Sequence, residues 1–157
     1  MTRLSGSCQA EIGFSIERCW AIVADVEHAP DWQRALKAVV VIERDPAGRP
    51  LVADTDNDAK LRTVRVRVRF SYSEPERMSF TLVASDDLDG MDGGWRLESL
   101  GAQRTRVTYE LAVDPGPIGF LARPLERAIR PIVMGHQADE LAREVAARSA
   151  QAGELSR

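Results

Sequence analysis

Histidine, cysteine and aromatic side chains are scarce in this sequence, and each scarcity removes a class of chemistry. Of 157 residues two are cysteines and two histidines, and aromatics make up 6%. Cys8 and Cys19 are too few for a disulfide framework and lack the C-x-x-C spacing of a zinc or redox site, so both read as small buried apolar residues. His28 and His136 are the available neutral-pH bases, and neither stands in a nucleophile motif, which counts against serine- or cysteine-based covalent catalysis. H-E-x-x-H is absent and no glycine run opens a helix after a strand. Of two acid-rich pieces, 54–58 lacks the central glycine of a calcium loop and 86–90 leads to no closing glutamate. Neither metal nor other cofactor is therefore expected. No apolar run approaches the roughly 20 residues that span a bilayer, and Met1 to Ser7 lacks the apolar segment of a secretory signal. These absences predict a soluble, cytoplasmic protein without a membrane span. A net charge of -3 argues against general affinity for nucleic acid. Oligomeric state is left open.

What is present is alternation. Cys8, Ala10, Ile12 and Phe14 alternate with polar residues or glycine, the period of a strand with one buried face. Ser15 is placed to cap a short helix with an apolar stripe at Ile16, Cys19, Trp20 and Val23, and a second brief helical turn runs through His28, Ala29 and Pro30 to Trp32. Strands follow at Leu36 to Arg44 and Leu51 to Asp58, joined by the Asp45-Pro46-Ala47-Gly48 turn. In Arg62 to Ser73, Val64, Val66, Val68, Phe70 and Tyr72 take one face and Arg65, Arg67 and Arg69 the other. Arg77 to Ala84 repeats this parity with Met78, Phe80 and Leu82 inward. Ser85 to Gly94 reads as a loop, with a bulge at its glycines before Trp95 and Leu97. A last strand carries Val107, Tyr109, Leu111 and Val113 inward. Strands joined by hairpins, then a helical end, make a single α+β domain, a curved antiparallel sheet wrapped around a C-terminal helix, with frayed ends near 1–6 and 149–157.

The segment Trp20 to Trp32, read as W-x-x-x-x-D-x-E-x-x-P-x-W, resembles the START-like (SRPBCC) superfamily, whose members include polyketide cyclase/dehydrase-like proteins and lipid-transfer domains. Asp89 to Leu97 and Arg104 to Leu111 extend the resemblance, which covers roughly Cys8 to Arg148. It implies a helix-grip fold: a seven-stranded sheet, two short helices after the first strand, a long C-terminal helix, and an apolar cavity between sheet and helix. The inward residues by themselves read first as packed core and only second as cavity wall. The function implied is binding or transport of a small hydrophobic ligand such as a lipid, isoprenoid, polyketide or aromatic metabolite. The alternative is a polyketide cyclase/dehydrase-type enzyme working by acid/base catalysis in the same cavity, for which Tyr72, Tyr109 and Asp31 are the candidate proton carriers. A third class is an interaction module that uses the Arg65, Arg67 and Arg69 row.

Pro131 divides the helical end. Leu121, Leu125, Ile129 and Ile132 lie on one side of an ideal helix and Met134, Ala138, Leu141 and Val145 on the other, so one straight helix cannot bury both. A short helix from about Ile118 to Ile129 and a longer one from about Pro131 to Arg148 are expected, with His136 on the surface. The candidate ligand wall is then Trp32, Val66, Val68, Phe70, Tyr72, Phe80, Trp95, Tyr109, Met134, Ala138 and Leu141.

Overall fold

Strand alternation folds as its parity demands. The computed structural model describes residues 3–58, 63–115 and 135–155. Seven strands form one sheet: β1 (Leu4–Ile12), β2 (Leu36–Arg44), β3 (Pro50–Asp58), β4 (Thr63–Ser73), β5 (Arg77–Ala84), β6 (Gly90–Gly101) and β7 (Arg104–Asp114). Their spatial order is β1-β7-β6-β5-β4-β3-β2, antiparallel throughout. The first two strands of the chain therefore sit at opposite edges of the sheet. The link between them carries α1 (Ile16–Val23) and a 3₁₀ segment (Val26–Asp31). At about 4.8 Å per strand a flat seven-stranded sheet would hold its edges almost 30 Å apart, and the sheet curves so that this link crosses its concave side.

Local chemistry fixes the ends of these elements. Ser15 caps α1, its hydroxyl accepting from the Arg18 amide. Along β4 Val64, Val66, Val68 and Phe70 are buried while the intervening arginines are exposed. Two of those arginines make two-pronged ion pairs with β3 neighbours on the outer face, Arg65 with Asp56 and Arg67 with Asp54. The C-terminal helix, α2 (Gln137–Leu155), packs on β1, β7 and α1. Ala138, Leu141 and Val145 are buried on its inward side, and Asp139 and Glu140 in its first turn favour the partial positive charge of a helix start.

The structure corrects several boundaries. β1 begins at Leu4, which pairs with Val113, so order reaches further toward the N-terminus than alternation from Cys8 suggested. The glycine-rich stretch from Gly90 is strand rather than loop, and β5 and β6 stay in unbroken register through Gly93 and Gly94, without the expected bulge. α2 starts at Gln137, not near Pro131, and continues past Arg148 to Leu155, where a frayed tail was expected. His136 precedes the helix and is exposed. The expected short helix 118–129, the break at Pro131 and Met134 lie outside the described residues. Cys19 is fully buried and burial pushes its thiol up, whereas Cys8 is only half-buried, its Sγ donating to Gln137 Oε1 at 3.6 Å.

Candidate ligand-binding site

Aromatic rings form a chain across the concave face. Trp32 contacts Trp95 at 6.0 Å between centroids, Trp95 contacts Tyr109 at 4.7 Å, Tyr109 contacts Phe80 at 6.4 Å, Phe80 contacts Phe70 at 6.5 Å, and Phe70 contacts Tyr72 at 6.4 Å. Gly93 makes room for this chain: a Cβ there would lie 2.2 Å from the Glu110 carbonyl oxygen and 3.1 Å from Phe80 Cζ.

Beneath the rings is a cavity of about 70 Å³, measured as the space open to the centre of a water molecule. At roughly 10–15 Å³ per water on this measure, it has room for about five waters or a compact organic group. Of the candidate wall residues, Val68, Phe70, Phe80, Trp95 and Tyr109 line it. Val66, Ala138 and Leu141 are buried in the core without reaching it. Trp32 and Tyr72 stand at the two ends of the ring chain, off the cavity. The Tyr72 hydroxyl donates to the Pro50 carbonyl at 2.6 Å, and the Arg49 guanidinium lies 4.5 Å over its ring. Trp32 instead borders a separate groove between the 3₁₀ segment and α2, and its buried indole N–H has no hydrogen-bond partner among the described residues. Asp31 is exposed on that outer groove.

The other side of the cavity comes from elements that carry no clear alternation. Val26 and Ala29 of the 3₁₀ segment, Gln33 and Ala35 of the following turn, and Leu36 and Val39 of β2 complete the wall, with Met78, Met91 and Leu111 from the sheet. Its polar groups among the described residues are Gln33, Thr55, Asn57, Tyr109 and Gln137, all neutral. Thr55 and Asn57 are tied together: Thr55 Oγ1 donates to the Val66 carbonyl, and Asn57 Nδ2 donates to Thr55 Oγ1 at 3.1 Å and to the Val64 carbonyl at 3.3 Å. The Tyr109 hydroxyl makes no hydrogen bond among the described residues, and burial raises its pKa well above the ordinary tyrosine value. It is therefore a protonated donor at neutral pH. His28 is exposed and does not line the cavity; a hydrogen bond to Asp25 at 2.8 Å, reinforced by that carboxylate's charge, raises its pKa. No group of three or more His, Cys, Asp or Glu side chains converges as a metal site among the described residues.

A family model described as polyketide cyclase / dehydrase and lipid transport matches residues 12–133, from the end of β1 through all of β7. The chain belongs to this family. Among solved structures, the polyketide cyclase/lipid-transport fold of this chain is similar to that of a START superfamily protein from Mycobacterium smegmatis, with 23% identity, coverage of 82% of this chain and 96% of that one, and a TM-score of 0.65. The ZhuI aromatase/cyclase from Streptomyces sp. R1128 is 15% identical, with 94% and 96% of the two chains covered and a TM-score of 0.76. A protein from Thermus thermophilus is 19% identical, with 93% and 99% covered and a TM-score of 0.71. At such identities these likenesses establish the helix-grip fold. No curated protein matches the sequence. No described helix is long and apolar enough to cross a membrane.

Proposed function

We propose that this family member binds a compact, neutral, ring-bearing hydrophobic molecule in the cavity between the sheet and the 3₁₀ segment. The observation that carries this reading is the lining, which is aromatic and aliphatic with a few neutral hydrogen-bonding groups and no charged side chain among the described residues. Such a surface rewards burial of apolar area, and its few polar atoms orient one or two acceptors on the ligand. A free carboxylate would lose its hydration there without a cation to replace it. The small volume favours a ring system over an extended acyl chain.

Catalysis of the cyclase type is the second reading, and one observation favours it: the Tyr109 hydroxyl on the cavity wall, without a partner among the described residues, as a donor to a ligand carbonyl. The same burial that keeps this phenol protonated deprives it of general-base strength near neutrality. Native mass spectrometry of the purified protein, followed by thermal-shift titration with neutral and carboxylated aromatic compounds, tests the binding reading. Neutral compounds should raise the melting temperature and their carboxylated counterparts should not. A preference for the carboxylates would sink the proposal. Turnover of a poly-β-ketone mimic, lost in Tyr109→Phe, would favour the enzyme.

A further inference from the structure

The convex face of the sheet carries a trough whose lining differs in chemistry from the cavity. Its arginines fall into two groups. Arg65, Arg67, Arg104 and Arg106 are neutralised by Asp56, Asp54, Glu11 and Glu98. Arg69 and Arg77 form no hydrogen bond or ion pair among the described residues, and Arg96 has only the Glu110 carboxylate at 3.9 Å. These last three border one trough. Strand register sets Arg77 directly opposite Arg96, and Arg69 opposite Thr81 one strand away. Like charges directly opposite on neighbouring strands repel. An anion lying between the two guanidinium groups would relieve that cost.

The remainder of the trough suits an oxyanion. Ser71, Ser79 and Thr81 contribute hydroxyls with no hydrogen-bond partner among the described residues. Gly94, opposite Ser79, leaves the centre of the patch without a side chain, and a Cβ there would lie 2.2 Å from the Met78 carbonyl oxygen, on a backbone with φ of +151°. The hollow is thus enforced by the strand geometry. Two carboxylates share the rim, Asp92, which is paired with Arg3, and Glu110. They confine the positive potential to a small island on a chain of net charge -3, which fits a small polyanion better than an anionic membrane or a long acidic peptide. Guanidinium forks and hydroxyl donors together are matched to phosphoryl oxygens.

We infer that this trough binds a soluble molecule bearing a diphosphate group, held by Arg69, Arg77 and Arg96 with the flanking hydroxyls. The inference is independent of the cavity reading. Sodium diphosphate is titrated into the intact protein at low ionic strength and followed by calorimetry and amide chemical shifts. Saturable binding is expected, with shifts centred on β4 to β6. Arg77→Ala and Arg96→Ala should each weaken it about tenfold, since each removes a charge-assisted fork. Arg65→Ala should leave it unchanged, because that guanidinium is already engaged by Asp56. All three side chains are exposed, and unchanged far-UV spectra would show that the fold is retained. No saturable binding, an equal loss in Arg65→Ala, or a preference for poly-glutamate or for phosphatidylglycerol vesicles over diphosphate would overturn the assignment.

Discussion

Replacing Gly93 by alanine tests the packing that shapes the cavity wall. The new Cβ would lie 2.2 Å from the Glu110 carbonyl oxygen and 3.1 Å from both Leu111 Cα and Phe80 Cζ. A carbon–oxygen contact settles near 3.3 Å, so β6 and β7 would have to separate locally by about 1 Å. Gly93 is registered with Leu111 on one side and Phe80 on the other, in the middle of the sheet. Weakening about two ladder hydrogen bonds at 0.5–1.5 kcal/mol each, and displacing Phe80, gives a loss of roughly 2–4 kcal/mol. That is a large part of the ~5–15 kcal/mol that holds a typical domain. Urea unfolding followed by circular dichroism should show a midpoint lower by about 1–2 M with little change in slope. Gly13 supplies the control, since a Cβ there meets nothing within 4 Å. Gly13→Ala should stay within about 0.5 kcal/mol of wild type. A Gly93→Ala protein as stable as wild type, or a Gly13→Ala protein that loses as much, would refute the steric argument.

Three further outcomes are expected. Tyr109→Phe should leave thermal stability nearly unchanged, because no partner among the described residues loses a hydrogen bond, while affinity for a carbonyl-bearing ligand falls about three- to tenfold in titration. Asp54 and Asp56 titrate below ordinary aspartate because Arg67 and Arg65 hydrogen-bond their ionised forms. Their stabilising contribution is therefore present above the unfolded value of about 3.9 and is lost as pH falls through the lower folded values, so urea midpoints should drop on acidification and drop less in Asp54→Asn/Asp56→Asn. His28 has the opposite sign: its raised pKa gives a contribution that is full below about pH 6.5 and lost as pH rises through the folded value. An NMR titration should place its midpoint above that of a free histidine, and Asp25→Asn should lower it.

Where one side chain in two is apolar, sequence and structure agree residue by residue. β2 and β5 have the ends their patterns predict, and the buried face of β4 follows its valines. Gly90 to Gly94 misled because composition there resembles a turn, yet pairing with β5 and β7 satisfies the backbone whatever the side chains are. The last turns of α2 were hidden similarly, polar side chains on a helix already anchored by Leu141 and Val145. For the cavity, parity turned Val68, Phe70, Phe80, Trp95 and Tyr109 inward, while the expectation of a cavity rather than a packed core came from the family resemblance. The facing wall escaped notice because Val26, Ala29, Gln33 and Ala35 belong to a 3₁₀ segment and a turn, whose side chains converge only through the crossing of the sheet. Thr55 and Asn57 carried a usable signal, being inward by the same alternation that puts Asp54 and Asp56 outside. Tyr72 shows the limit of parity, since its rim position and its bond to Pro50 depend on where β3 begins.

Strand order also sets a timetable for synthesis. β1 leaves the ribosome first, yet its pairing partner is β7, with Leu4 set against Val113. At about 5–20 residues per second the nascent chain carries β1 unpaired for roughly 5–20 s while the intervening strands are made. During that interval its alternating Cys8, Ala10 and Ile12 are open to any free strand edge, including that of β2. The last-made strand is thus the one that closes the first, and slowing translation just before Arg104 would lengthen the period in which the domain is most exposed to mispairing.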